Sequence, residues 1–296
     1  WRYSFCADVL GAVLEVVTGK TYGEYLKKTI FEPLGMVDTD FYVPEDKQNR
    51  FMENYEYKPE SGTLEPCTWQ HLGLSYMHKK KPAFESGGAG LVSTVEDYSR
   101  FVQMMMHGGS YRGVRILGRK SIEHMTTNHL TPQQLQMYDW ESLRGYGYGD
   151  LMRQMMDVPA SYGLGSVGEF GWDGWLGSYV AMDPAEDLAI IYVIQKCGGN
   201  GYRDVQVLRN IIYSALLGAL RISVFWKGVV TGMKIIQGKQ AVVTQIRTRT
   251  AEQGKPAEAV CRGVSDPVYQ KLHYHSVQTA AGRETVPVVL NGEPVD

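Results

Sequence analysis

The chain has 296 residues, 44% of them hydrophobic and 21% charged, and a formal net charge of -2. A polypeptide of that length and balance buries a substantial core and carries no compositional mark of disorder. So small an acidic excess excludes an electrostatic case for nucleic acid or an anionic membrane as the main partner.

From Ala7 to Thr18 the apolar residues Val9, Leu10, Val13, Leu14, Val16 and Val17 recur three and four apart. This spacing predicts an amphipathic helix, with Gly19 as its left-handed cap. A second helix is predicted from Tyr22 to Phe31, stopping before Pro33. The segment from Asp38 to Pro44 and that from Phe51 to Tyr57 read as loop and short strand. A glycine-rich turn, Ser86-Gly-Gly-Ala-Gly, leads into Ser93-Thr-Val-Glu96. That spacing is a capping box, which predicts a helix starting at Ser93 and running through Tyr98, Phe101, Val102 and Met105 to Gly108. Met104, Met105 and Met106 read as core residues of that helix, and Lys79-Lys-Lys81 as a solvated loop.

Between Tyr146 and Val193 the texture changes to strands, with aromatic and β-branched residues separated by glycine and Asp-Pro turn signals. Asp183-Pro184-Ala185-Glu186-Asp187 is read as the turn of an antiparallel hairpin, and a helix from Val205 to Leu217 as its cover. Helices, antiparallel strands and a further helix predict an α+β fold, a sheet flanked by helices with a helical subdomain. From Ile222 the apolar periodicity fades and nine Lys and Arg stand against six Asp and Glu. The chain is therefore divided into 1–221 and a tail or small module, 222–296, which reads either as an extra module or as the product of a shifted frame.

The longest apolar runs, near Leu188 and Ile211, are broken well before the roughly 20 residues of a bilayer span. Cys6, Cys67, Cys197 and Cys261 lie far apart without a C-x-x-C pair and read as reduced thiols. Neither G-x-S-x-G nor H-E-x-x-H occurs. His273 and His275 would share a strand face, but no third ligand accompanies them, so no metal and no cofactor is expected. The glycines at Ser86–Gly90 and Gly198–Gly201 lack the partners of a phosphate loop and read as turns.

Two features remain: Tyr3-Ser4-Phe5 just before a helix, and Gly171-Trp-Asp-Gly-Trp-Leu-Gly177 on a strand entering a hairpin. With Phe31-Glu-Pro-Leu-Gly-Met-Val-Asp-Thr39 and Ser86–Phe101 between them, the chain resembles the serine β-lactamase-like superfamily from Tyr3 to about Leu217. The nearest branch is the one holding class C β-lactamases, family VIII carboxylesterases and D-alanyl-D-alanine carboxypeptidases. The resemblance implies a cleft between a helical region and the edge of an antiparallel sheet, where three motifs meet: Ser-x-x-Lys, Tyr-x-Asn, and a sheet-edge motif that takes a Trp-x-Gly form in esterase-like members.

Residue by residue, the resemblance makes Tyr3 the catalytic tyrosine that relays protons. A phenol with an ordinary pKa near 10 does so only where nearby positive charge favours the phenolate. Phe5 stands where asparagine is expected and makes no hydrogen bond through its side chain. Trp172, Asp173 and Gly174 match the sheet-edge motif as substrate-binding residues, and the N–H of Trp175 takes the oxyanion-donor position, a kind of contact worth about 3 kcal/mol in the transition state. Phenylalanine for asparagine and tryptophan for lysine both favour small neutral esters over β-lactams, the partner being a small-molecule ester or β-lactam-like substrate.

No serine in the chain has lysine three residues later; Ser75 and Ser223 have it four later. The resemblance places Ser-x-x-Lys upstream of the tyrosine, so the chain reads as truncated ahead of Trp1 and incomplete at the N-terminus. Nucleophile and base act as a unit, which makes the chain by itself inactive in acylation. A catalytically inactive relative that binds a peptide or cell-wall fragment is the alternative. Loss of the family's N-terminal strands would leave an exposed sheet edge through which the chain could self-associate. No compartment is assigned.

Overall fold

The computed structural model describes residues 1–216 other than 70, 75, 76, 139, 199 and 200, and beyond them only the backbone of short strands within 231–294. Helix α1 (Cys6–Thr18) ends at Gly19, whose φ of +66° lets its N–H reach the Glu15 carbonyl at 2.8 Å. The spacing that predicts this helix also predicts a buried apolar face, and here the structure differs. Val9, Leu10, Val13, Val16 and Val17 are exposed, and Gly11 is the buried position. The helix is fastened by its other side: Gly11 faces the Tyr22 ring, the Ser86 hydroxyl donates to Asp8 at 2.6 Å, and the Tyr22 N–H donates to Glu15 at 2.8 Å. Among the described residues nothing lies over the valine stripe.

Helix α2 (Tyr22–Leu26) starts at a Thr21–Glu24 capping box. It does not stop before Pro33. A π-helical turn, Lys27–Phe31, carries it into Glu32–Leu34. Proline then sits in the first turn of the last segment, where its missing N–H is not needed. The strands β1 (Tyr55–Lys58) and β2 (Thr63–Pro66) form an antiparallel pair.

Helix α3 (Val95–Met106) is capped by Thr94, whose hydroxyl accepts from the Asp97 N–H at 3.1 Å. The expected Ser93–Glu96 box is not formed. Ser93 instead pairs with the Thr39 hydroxyl at 2.8 Å, and buried Asp97 accepts from the Asp38 N–H and from Thr39. The tertiary tie to the 38–39 turn thus moves the cap by one residue. Helix α4 (Arg119–Met125) follows a small hairpin.

The central sheet is built from β3 (Tyr146–Tyr148), β4 (Arg153–Met155), β5 (Phe170–Asp173), β6 (Tyr179–Asp183) and β7 (Leu188–Val193), each antiparallel to the next. Asp183 pairs with Leu188 across the expected turn, and its carboxylate accepts the N–H groups of Ala185 and Glu186. A short strand β8 (Lys196–Cys197) leaves the sheet to pair in parallel with β1. Helix α5 (Gly201–Ser214) then lies along the sheet.

Strand alternation assigns the two faces. Leu188, Ile190 and Tyr192 pack with Tyr179, Ala181 and the α5 residues Val205, Leu208 and Ile212. Ala189 and Ile191 point the other way, with Met182, Phe170, Phe31, Leu34 and the α3 residues Val102, Met104 and Met105. Burial on both faces is why Leu-Ala-Ile-Ile-Tyr-Val reads as an unbroken apolar run. Met104 and Met105 are core residues as expected.

Two more strands, β9 (Thr231–Gln237) and β10 (Gln240–Ile246), come from the stretch expected to be a tail. β9 pairs antiparallel along β7, from Gly232 opposite Val193 to Gln237 opposite Leu188, and β10 pairs with β9. The order of the seven-stranded sheet is β10-β9-β7-β6-β5-β4-β3. The edge of β7 away from β6 is therefore paired within the chain. No helix among the described residues is long and apolar enough to cross a membrane.

Candidate active site

Tyr3 enters the structure on the short segment before α1, and the Ser86–Gly90 turn fixes where that segment lies. The turn packs against the helix start so closely that a Cβ on Gly87 would sit 2.4 Å from the Ala7 carbonyl oxygen. Glycine is required there for clearance. The adjacent Ser86 and Gly88 both donate to Asp8.

So held, Tyr3 is 51% exposed and its ring stacks on Trp172 of β5, centroids 5.6 Å apart and planes at 25°. Trp140 meets the Tyr3 ring edge-on at 5.5 Å, and Tyr148 of β3 meets Trp172 edge-on at 5.3 Å. Offset-stacked and edge-to-face pairs of this kind each add about 0.5–1.5 kcal/mol beyond their buried area. Burial, together with the nearby Tyr3 phenol, pushes the Tyr148 hydroxyl up to about 12. Tyr148 is thus a neutral wall of the cluster. Among the described residues no side chain hydrogen-bonds the Tyr3 hydroxyl.

The other sequence-predicted residues divide around this cluster. Trp172 and Asp173 are consecutive on one strand, so they point to opposite faces of the sheet. The Asp173 carboxylate accepts from Arg153 Nη1 at 2.6 Å. Arg153 is buried between the rings of Tyr146 and Tyr179, and its Nη2 donates to the Val180 carbonyl at 3.0 Å. Burial works against its charge, but Asp173 and its neighbours outweigh that and keep the guanidinium ionised.

Gly174 donates its N–H to the Ser178 carbonyl at 2.7 Å and accepts from Gly177, whose φ is +90°, closing the tight turn between β5 and β6. Trp175, at the tip of that turn, is 63% exposed and packs on His71 at 5.1 Å, away from the Tyr3 rings. Asp173, Gly174 and Trp175 line a cavity of about 280 Å³ between the turn and α5, a cavity that neither Tyr3 nor Trp172 lines. Phe5, 67% exposed at the start of α1, belongs to neither group.

Most polar groups around this cavity are paired within the protein, although buried Arg209 Nη2 has no hydrogen-bond partner among the described residues. Lys196 pairs with Asp204 at 3.3 Å, Tyr202 with Gln206 at 2.6 Å, and buried Arg209 with buried Glu169 and the Tyr179 hydroxyl. The Tyr213 hydroxyl lies within hydrogen-bond distance of both Glu169, at 2.7 Å, and Asp183, at 2.8 Å, and shares its one proton between them. This buried network fastens α5 to β6 and to the loop before β5.

The sequence does not mark Tyr148, because Gly-Tyr-Gly-Tyr-Gly-Asp150 reads only as a strand, and Trp140 and Arg153 stand in no motif. Nothing in its spacing says which tyrosine faces Trp172. His273 and the side chain of His275 lie outside the described residues. Cys6, Cys67 and Cys197 are free thiols.

A family model described as Beta-lactamase matches residues 1–211. The chain belongs to the β-lactamase family. The mycobacterial Protein Rv1367c, from Mycobacterium tuberculosis, is 33% identical over 203 residues, 66% of this chain and 48% of that protein. Among solved structures, simvastatin synthase (LovD) from Aspergillus terreus matches with a TM-score of 0.63 at 18% identity, covering 74% of this chain and 56% of that one. EstCE1, described as a hydrolase with promiscuous acyltransferase activity, matches with a TM-score of 0.60 at 23% identity, covering 72% and 56%. These likenesses establish the fold as the α+β, β-lactamase-like one. The β-lactamase-family chain spans about half the length of the relatives it matches.

Proposed function

We propose that the whole protein is a serine hydrolase that cleaves a small neutral ester. The reading is supported by one observation above others, the stacking of Tyr3 on Trp172. It brings the motif tyrosine against β5, which pairs with β4 and β6 within the sheet, and sets an aromatic ring where the family has a cation. Tyr3 is the proton relay, the Trp175 N–H the oxyanion donor, Trp172 the strand side of the cleft and Phe5 an apolar contact for the acyl group, while Asp173, bonded to Arg153 on the other face of β5, and Gly174 hold the turn that carries Trp175.

In the proposed reaction a serine from a Ser-x-x-Lys segment outside the 296 residues attacks the ester carbonyl carbon. Its proton passes by way of Tyr3 to the departing alcohol. Water then attacks the acyl-serine, and the carboxylic acid leaves.

The test is hydrolysis of p-nitrophenyl butyrate by the full-length protein, together with fluorophosphonate labelling of full-length protein and of the 296-residue chain. Ester turnover with a labelled serine upstream of Trp1 is the expected result. Labelling of a serine within the 296 residues, or turnover of a β-lactam in preference to esters, would overturn the reading. Phe5, standing where the family's motif has asparagine, favours a second reading, an inactive binder of a peptide or cell-wall fragment. Full-length protein silent to both reagents but retaining such a fragment would establish it.

A further inference from the structure

On the surface beyond β3, His124, His129 and Asp150 each present one ligand atom, and these atoms all lie within 4.8 Å of one another. We propose that these three side chains form a binding site for a divalent transition-metal ion of the Zn²⁺ type. Two imidazoles and a carboxylate are the donor set that such an ion selects, with water completing a tetrahedron.

The geometry comes from two chain segments that the backbone locks together. His124 lies in the last turn of α4, and the Asp150 N–H donates to the Met125 carbonyl at 2.8 Å, so the carboxylate is tied to the end of that helix. The His129 N–H donates to the Tyr148 carbonyl at 2.9 Å. Asn128 braces the same junction: its Oδ1 accepts from the N–H groups of Tyr148 at 3.0 Å and Leu130 at 3.1 Å, and its own N–H donates to Gln154 at 2.8 Å. Gly149 permits the approach, since a Cβ there would stand 2.2 Å from the Met125 carbonyl oxygen. The ligand-bearing backbone is thus fixed without the ion.

The side chains already converge. The two imidazole rings are 4.4 Å apart between centroids, and His129 Nε2 is 3.9 Å from Asp150 Oδ1. Ligand atoms around a tetrahedral zinc ion with bonds of about 2.0–2.1 Å stand roughly 3.3 Å apart. Small rotations of three exposed side chains close that difference. In the structure His129 Nε2 lies 2.9 Å from the His124 carbonyl oxygen, a contact that binding exchanges for the metal. All three residues are exposed, so water reaches the remaining coordination positions.

Such an ion would clip α4 to the β3–β4 turn. Tyr148, whose carbonyl holds His129, is the residue that packs edge-on against Trp172. The clip therefore stiffens a wall of the aromatic cluster without touching it.

The experiment is calorimetric titration of tag-free, chelator-treated chain with ZnCl₂, beside thermal melts with and without the metal. One ion per chain is expected, with melting raised as the free metal exceeds the dissociation constant. H124A and H129A should each weaken binding by about tenfold or more, since each removes one of three protein ligands. D150N keeps the backbone bond to Met125 and should weaken it as well. H275A, altering the other close histidine pair, should change nothing. Far-ultraviolet circular dichroism checks the fold of each variant, and D150N decides the matter if a histidine variant unfolds. No binding by the unaltered chain, or binding that survives D150N and the H124A/H129A pair, would overturn the proposal.

Discussion

The ring of Tyr3 lies nearly parallel to the indole of Trp172, 5.6 Å away, although the two residues are separated by most of the β-lactamase-like chain. Two parts of the fold meet in this contact: the lead-in to α1 and the strand β5. If Tyr3 relays protons, Tyr3→Phe in the full-length protein keeps the stack and removes the hydroxyl. Ester kcat should then fall about 10²–10⁴-fold with little change in melting temperature. Trp172→Ala should do the reverse, acting mainly on KM and stability. A Tyr3→Phe enzyme with unchanged kcat would remove the relay assignment.

Arg209 and Glu169 form a buried ion pair under α5, further bonded to Tyr179 and Tyr213. Deleting one partner strands the other in a low-dielectric interior. Arg209→Met is expected to cost about 3–5 kcal/mol, read as a lowered midpoint in urea unfolding. A change below about 1 kcal/mol would mean that water reaches Glu169 there.

Hydrogen bonds from Arg50 and Lys47 hold the Asp38 carboxyl at about 2, against an ordinary value of 3.8. A carboxylate depressed in the folded state stabilises it above the unfolded pKa, and that contribution is lost as pH falls from about 4 toward about 2. A depression of that size corresponds to roughly 2–3 kcal/mol for a fully shielded group. Both cations are partly exposed and screened, so about 1 kcal/mol is the expected effect. Urea unfolding of Asp38→Asn between pH 2 and 6 should show a flatter acid limb than the parent chain. An unchanged limb would assign the acid sensitivity to other carboxylates.

The architecture was legible where a pattern is local. The α1, α3 and α5 helices, the Asp183–Asp187 hairpin and the core methionines follow from periodicity and turn chemistry. Tertiary demands account for the departures. Thr94 replaces Ser93 as the cap because Ser93 is bonded to Thr39, and a π turn carries α2 past Pro33. Alternation on β5 separates Trp172 from Asp173, whereas the motif groups them as one cleft wall. Tyr148 and the His124–His129–Asp150 convergence depend on contacts between segments, which spacing along the chain does not encode.

Gly87→Ala tests the clearance at the start of α1, where the added methyl would meet the Ala7 carbonyl. A cost of about 1–3 kcal/mol is expected, typical of overpacking, together with a change in the near-ultraviolet circular dichroism of the aromatic cluster. A cost without the spectral change would confine the strain to the turn.

Val9, Val13, Val16 and Val17 form an exposed stripe on α1. Contiguous apolar surface of this kind drives association. The 296-residue chain should sediment as larger species as its concentration rises, and Val13→Glu with Val17→Glu should lower that tendency at unchanged helicity. Association unaffected by both changes would shift attention to another surface.

Because Trp172 and Asp173 are neighbours on one strand and point to opposite sides, β5 couples two spaces that share no lining residue. A molecule lodging in the cavity under α5 and drawing Asp173 away from Arg153 would displace the backbone bonded to Trp172. The indole would then register that event through its emission, from the far side of the sheet, as an optical gauge of a compartment it never touches.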